Sequence, residues 1–434
     1  MRYNDSTMRR IRAGRARFIS MAVTYCLGVF NDNFFKQAAM LLAVVAGRSQ
    51  LQGTATFLFS LPFVVFSAHA GWLADRFSKR NVVIWAKVLE LAAMIIGAIG
   101  IVTLNWNCII AMVFLMALQS TIFGPALNGS IPELYPEVYV PQANSLIRAI
   151  TTVAILLGMG LAGIALDQDW MELAVPFGNA LVAVVVVLVA LAGVGASFGG
   201  HRKAPSGKPR PFPWAGPLNS LKDLFDLKRD PQLLLAISGS TFFYFISLLA
   251  VLVVNTLGLK QLGFSMTLTG LLSVSLMVGI GIGSLIAGKM VSIERWTRLL
   301  VPSAAGMGVG LILAGVVPAF PREIQLWSLF VFFVLAGTCG GMFLIPIASF
   351  IQVRPAPDEK GKIIGVSNFA SFGFMMVSGK LFEWLDPLLS PGTIMIVLGA
   401  FTVLAAGLLA LVLFGGKLFD WGLAFTTRRL LALR

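Results

Sequence analysis

The sequence predicts an all-α protein embedded in a membrane, with about twelve transmembrane helices arranged as two halves of six. Three observations carry that prediction. Hydrophobic residues make up 57% of the 434 and charged ones 12%, with a mean hydropathy of +0.87, whereas about a quarter of a soluble domain is charged. Apolar runs of the roughly 20 residues that a helix needs to cross a bilayer recur along the whole chain. Near the midpoint the pattern breaks at a proline-rich, basic segment.

Residues 1–17 read as a basic tail with six arginines, and the first span follows near 18–46. That start imitates a signal peptide, but no small-residue cleavage site follows it and Asn31-Asp32-Asn33 interrupts the run, so an uncleaved span is expected. Spans two to six fall near 52–73, 81–104, 106–126, 142–165 and 172–197, closing an N-terminal half at 18–198. In residues 199–230, Pro205, Pro209, Pro211, Pro213 and Pro217 stand among His201, Arg202, Lys203, Lys208 and Arg210. Proline at that density predicts a semi-rigid extended linker. Six further spans near 231–257, 267–289, 297–318, 324–350, 361–385 and 391–415 make the C-terminal half, 231–415. Residues 416–434 mix Leu418, Phe419, Trp421, Phe425 and Leu430 with Arg428, Arg429 and Arg434, which predicts a helix lying among lipid headgroups.

The net charge of +14 does not indicate nucleic acid, because of where it sits. With both termini cytoplasmic, most Lys and Arg fall on the cytoplasmic side, and external loops hold only Arg48, Lys260 and Arg322. That asymmetry follows the positive-inside rule, and the cations meet anionic lipid headgroups. Cys26, Cys108 and Cys339 lie in apolar runs without metal-ligand spacing, so neither a disulfide nor a metal site is expected. Gly158-Met159-Gly160-Leu161-Ala162-Gly163 has the letters of a dinucleotide fingerprint but lies inside an apolar run with no preceding strand. Close helix packing accounts better for it, and for the glycines at 279, 281, 283 and at 306, 308, 310. No cofactor and no enzyme activity are expected: His69 and His201 lack an aspartate at acyltransferase spacing, and no Walker-type Gly-x4-Gly-Lys sequence occurs.

Ionisable side chains at bilayer depth are costly and usually face a cavity or a partner. They concentrate in the first half: Asp32 and Lys36 in the first span, Lys87 and Glu90 in the third, Arg148 in the fifth. Asp32 and Lys36 are four apart and Lys87 and Glu90 three apart, so each pair shares a helix face. For Lys87 and Glu90 a self-contained ion pair and a substrate contact are both open. Asp32, flanked by two asparagines midway along its span, implies a wet cavity. The second half offers aromatics instead, Phe242, Phe243 and Phe245, then Phe369, Phe372 and Phe374, which suit an acyl chain or simple packing.

Between spans two and three runs Gly71-Trp72-Leu73-Ala74-Asp75-Arg76-Phe77-Ser78-Lys79-Arg80. Gly71 at a helix end allows a close backbone approach, Asp75 is placed to cap the next helix, and the basic residues hold the loop at the cytoplasmic surface. The decapeptide resembles the corresponding loop of major facilitator transporters, departing from it at Ser78. A weaker echo, Gly288-Lys289-Met290-Val291-Ser292, occupies the same place in the second half, as a parallel repeat would have it. The resemblance implies a major facilitator fold with a central cavity, transport by alternating access, and a gating role for Gly71, Asp75, Arg76 and Arg80.

Asn31-Asp32-Asn33-Phe34-Phe35-Lys36, Phe123-Gly124-Pro125, Pro132-Glu133-Leu134, Ala143-Asn144-Ser145-Leu146 and Ala154-Ile155-Leu156-Leu157-Gly158 narrow the likeness. They resemble bacterial lysophospholipid transporters and the transporter half of fused transporter/acyltransferase proteins. The resemblance implies lysophospholipid moved to the cytoplasmic leaflet of a bacterial inner membrane, a separate acyltransferase as partner, and a monomer. It places Asp32 and Asn33 in the substrate pathway, to which Lys36, Lys87, Glu90 and Arg148 are joined as candidate substrate-binding residues. Leu127, Asn128 and Arg148 depart from the family pattern, which usually has lysine, tyrosine and an acidic residue there. The alternative is proton-coupled efflux of amphipathic drugs, with Asp32 or Glu90 carrying the proton.

Overall fold

A computed structural model of the chain describes residues 5–136, 139–172, 174–200, 212–290, 293–355 and 359–414. Among them the secondary structure is helical, with no strand. The helices are α1 (Asp5–Val45), α2 (Leu51–Arg76), α3 (Lys79–Thr103), α4 (Trp106–Leu134), α5 (Val140–Leu166), α6 (Phe177–Ser197), a short α7 (Gly216–Asp226), α8 (Pro231–Thr256), α9 (Met266–Met290), α10 (Leu300–Val316), α11 (Arg322–Val353), α12 (Lys360–Leu385) and α13 (Pro391–Phe414). Ten of the long helices are apolar enough throughout to cross a membrane. Polar and charged residues set the other two apart: Asp32, Lys36 and their asparagine neighbours in α1, and Lys362, Lys380 and Glu383 in α12.

Local chemistry explains the helix ends. Ser78 starts α3 by accepting from the Asn81 N–H, Asn105 starts α4 by accepting from Asn107 and Cys108, and Asp230 starts α8 by accepting from Leu233. Pro231 and Pro391 open their helices, where a missing N–H costs nothing. Leu104 ends α3 in the left-handed region at φ 51°.

The chain divides into two compact units, one of residues 1–219 with 263–271, the other of 220–262 with 272–434. Within the first, α3 packs on α4 and α6, α1 on α5 and α6, and α2 on α4. Within the second, α10 packs on α11 and α13, and α8 on α12 and α13. Counting long helices only, the third meets the fourth and sixth, and the first meets the fifth and sixth, in both units. This is the pairing scheme of an internal repeat.

Small residues set the distances. Added Cβ atoms at Gly308 and Gly399 would each run into the other's carbonyl, so α10 and α13 touch backbone to backbone. Gly279, Gly283, Gly337 and Gly341 do the same between α9 and α11, and Gly158 lies against Phe30 and Phe34 of α1. Gly281, read from sequence as part of the same packing, has open space before it.

Two expectations are corrected, and a third falls outside the described residues. Residues 5–17 are not a separate tail but the first turns of α1, which at 41 residues is about 60 Å long, twice the hydrocarbon thickness. The segment 199–230 is not extended throughout, since 216–226 is the helix α7; its residues 201–211 lie outside the described ones. The C-terminal amphipathic stretch, 415–434, also lies outside them.

Gly308→Leu is expected to lower the thermal midpoint of the purified protein, since overpacking a tight crossing costs about 1–3 kcal/mol. Gly281→Leu is expected to leave it unchanged. Equal effects in a thermal-shift assay would show that the α10–α13 contact is not tight.

Candidate functional site

Polar residues of α1, α3 and α4 build the polar centre of the first unit. Asp32 is half-buried and accepts from Ser120 Oγ at 2.7 Å and Gln119 Nε2 at 3.5 Å, both on α4. Gln119 also donates to Ser120, at 2.8 Å, so a polar dipeptide in an otherwise apolar helix is committed to one carboxylate. Asn31 is fully buried and turns to α6, donating to the Val186 carbonyl at 3.0 Å. Asn33 returns to its own helix, donating to the Val29 carbonyl at 2.8 Å. The three consecutive polar residues thus face in different directions, and only Asp32 meets α4.

Lys36, one turn beyond Asp32, places its Nζ 4.7 Å from the centre of the Phe59 ring on α2. A cation over an aromatic face keeps some stabilisation where water is scarce. Lys87 and Glu90 form an ion pair on α3 at 2.5 Å, each side chain 1% exposed. The Lys87 amine also sits 4.8 Å from the Phe123 ring centre. Glycines make room for it: an added Cβ at Gly28 of α1 would strike that amine, and Gly193 of α6 lies alongside. Asp32 feels the charges of Glu90, Lys87 and Lys36, so the four groups form one electrostatic cluster. Three buried oxygens around it, Asn31 Oδ1, Glu90 Oε1 and Gln119 Oε1, accept no hydrogen bond from the protein.

Arg148 stands apart, exposed on α5. Tyr25 lies within electrostatic reach of both Arg148 and Asp32 and packs on Phe123 with ring centres 5.6 Å apart. Among the candidate residues, then, Asp32, Lys36, Lys87 and Glu90 come together, Arg148 lies apart from them, and Asn33 is held by its own backbone. Leu127 is buried in the apolar core with Ala126 and Ile131, which explains an aliphatic residue there; the Asn128 side chain lies outside the described set. Sequence reasoning missed Ser120, Phe59 and Tyr25. The Gln119-Ser120 pair in an apolar run was the available signal.

The loop after α2 departs from two expectations about its geometry. Gly71 faces open space rather than a close backbone, and Ser78 rather than Asp75 caps α3. Lys79 pairs with Glu133 of α4. Arg80 donates from Nε and Nη2 to the Phe198 carbonyl, at 3.2 and 2.8 Å, where α6 ends. Arg76 lies over Trp72, 5.4 Å from its ring centre. The loop therefore ties α3 to α4 and α6.

The second unit carries no comparable cluster among the described residues. Lys380 and Glu383 pair with each other at 2.8 Å. Phe243 is buried, Phe242 packs on Phe343 and Phe401, and Phe245 meets the exposed Phe374 edge to face. A small apolar recess lies among Phe243, Ile246, Leu276, Met307 and Leu311.

A family model described as Major Facilitator Superfamily matches residues 16–379. Two relatives named lysophospholipid transporter LplT, from Pectobacterium carotovorum subsp. carotovorum (strain PC1) and Salmonella newport (strain SL254), are each 26% identical to this chain over 382 and 377 residues. The alignments cover 84% of this chain and 85% and 87% of those relatives. Among solved structures, a chain from work on substrate recognition in proton-dependent oligopeptide transporters superposes with a TM-score of 0.69 at 15% identity, covering 92% of this chain and 98% of its own. The inward-open xylose transporter XylE from E. coli gives 0.67 at 14%, covering 90% and 95%. Identity that low speaks for the fold alone.

Breaking the Lys87–Glu90 pair from one side leaves a buried charge without its counter-charge, at a cost of about 3–5 kcal/mol. Lys87→Met is therefore expected to destabilise the protein strongly, and Lys87→Met with Glu90→Leu to recover most of the loss. A double variant no more stable than the single one, by thermal unfolding in detergent, would contradict the pairing.

Proposed function

The chain belongs to the major facilitator superfamily, and from that premise we propose that it is a secondary transporter that carries lysophospholipid from the outer to the cytoplasmic leaflet of a bacterial inner membrane. The reading rests chiefly on one observation: Asp32 is held by Ser120 and Gln119 in the middle of a membrane helix, beside Lys36 and within electrostatic reach of Lys87 and Glu90. With Arg148, three cations stand against two carboxylates, and a phosphate evens the count; phosphate oxygens seek such cations. The names of the relatives point to the same class of cargo.

In this proposal Arg148, being exposed, meets the phosphate first, and Lys36 and Asp32 hold the headgroup with Ser120 orienting the carboxylate. Lys87 and Glu90 stay paired and set the field around them. The halves, 18–198 and 231–415, alternate in giving access to each side, and the loop from Gly71 to Arg80 stabilises one of the two states. Both termini face the cytoplasm, the protein works as a monomer, and a separate acyltransferase consumes what it delivers.

Uptake of labelled lysophosphatidylethanolamine into spheroplasts tests the proposal directly. Expression of the chain is expected to raise uptake, Asp32→Asn to reduce the gain at least about tenfold, which corresponds to about 1.4 kcal/mol, and Arg148→Ala to raise the half-saturating concentration. Uptake that does not respond to the protein rejects the lipid reading. An Asp32-dependent change in drug susceptibility without lipid uptake would favour efflux of amphipathic drugs.

A further inference from the structure

Helix α7 is amphipathic the wrong way round for a helix in water. Leu218, Leu221 and Phe225, spaced to share one face, are 69%, 41% and 57% exposed, and Trp214 just before the helix is 87% exposed. The opposite face turns inward: Gly216 is buried, Ser220 and Asp223 are partly buried, and Leu227 just beyond is buried. Asp223 accepts an ion pair from Lys362 at 2.8 Å, and Gly216 packs on Ala68 and His69. A helix that shows large apolar side chains to the outside and keeps Ser220 and Asp223 against the protein, with Asn219, Lys222 and Asp226 exposed along one border, is matched to the boundary between an apolar layer and water.

We propose that α7 is an interfacial anchor whose Trp214, Leu218, Leu221 and Phe225 face inserts into the leaflet on the side of the linker between the halves. Three further observations fix lipid as the occupant. Only residues 227–230 separate α7 from Pro231, where a membrane-crossing helix begins, so α7 cannot stand far from the headgroup plane. Exposed cations flank the apolar face: Lys222 on its border, then Lys228 and Arg229, with the Lys228 amine 5.5 Å from the Phe225 ring centre. Long basic side chains beside an apolar stripe reach up to anionic headgroups while the stripe lies about 5–10 Å deep. The preceding turn is pinned by aromatic packing, Phe212 lying 5.0 Å from His69 and 5.2 Å from Trp72 between ring centres. The chain entering the helix is thereby held against the end of α2.

Nitroxide labels test this after replacement of Cys26, Cys108 and Cys339 by alanine, with single cysteines at Leu218, Leu221, Phe225 and, as an aqueous reference, Lys228. In vesicles of phosphatidylethanolamine and phosphatidylglycerol, the first three are expected to collide more with oxygen and less with a water-soluble nickel chelate than the fourth, and more so as phosphatidylglycerol is increased. Collision with nickel equal to the Lys228 site overturns the proposal, placing the face in water. Immobilised labels reached by neither agent overturn it in favour of a protein covering the face. In the protein with its natural cysteines, brominated lipid is expected to quench Trp214, read as the difference from Trp214→Phe; no difference counts against insertion.

Discussion

Two opposite charges 2.5 Å apart, both nearly inaccessible, sit where α1, α3, α4 and α6 meet, and the packing of the first unit is arranged around them. Removing an ammonium and a carboxylate from water costs several kcal/mol each even after relaxation, so their neighbourhood must compensate closely. It does so with geometry rather than with more charge. Gly28 leaves the space that the lysine amine fills, Phe123 offers its ring face to it, and Glu90 supplies one oxygen. A methyl group at position 28 would stand on the amine itself. The close approach of α1 and α6 to α3 and the burial of the pair are thus one constraint seen from two sides.

Asp32 inherits its setting from that arrangement. It stands one turn beyond Gly28 on α1, within the field of the buried pair, and α4 brings Ser120 to it at hydrogen-bond distance. Because Asn31 is anchored on α6 and Asn33 on its own helix, the carboxylate has one direction left, toward α4. Lys36 is held by a ring and not by a carboxylate, which leaves its three donors for another acceptor. Fixed polar groups of this kind favour a ligand bearing both a negative and a positive or neutral polar part, and they cost little rearrangement when it arrives.

Much of this was legible from residues alone, for definable reasons. Helix number follows from apolar run length, and the charged residues of the first half stand out because hydrocarbon makes any charge rare. Of two open readings for Lys87 and Glu90, spacing alone could not decide, since i,i+3 neighbours pair only if the surrounding helices close over them; here they do. The loop after α2 was harder. Asp75 and Ser78 are both good capping residues, and which one caps depends on where α2 stops, a boundary that propensity locates only to within a few residues. Gly71 and Gly281 mislead in the same way: glycine permits a close approach but does not supply a neighbour. The linker was misread because proline density dominates its first half, while the α7 stripe needs eleven residues read with helical spacing.

The same physics runs in opposite senses at the two places. In the interior of the first unit, polar side chains are kept from lipid by enclosing them among glycines and rings. At α7 it is Leu218, Leu221 and Phe225 that turn outward, while Ser220 and Asp223 are folded against protein. Neither arrangement is stable in water: an exposed row of leucine, leucine and phenylalanine would be covered, and an enclosed ion pair would be replaced at little cost by aliphatic packing. Persistence of both in one chain follows when the surrounding solvent is a bilayer, where apolar exposure is favourable and an intramembrane charge survives only if it has a partner or a task. Lys87 and Glu90 have partners. Asp32, half-buried and hydrogen-bonded by neutral donors from α4, with Lys87 paired to Glu90 and Lys36 lying over a ring with donors to spare, is the charge in that cluster whose position calls for a task.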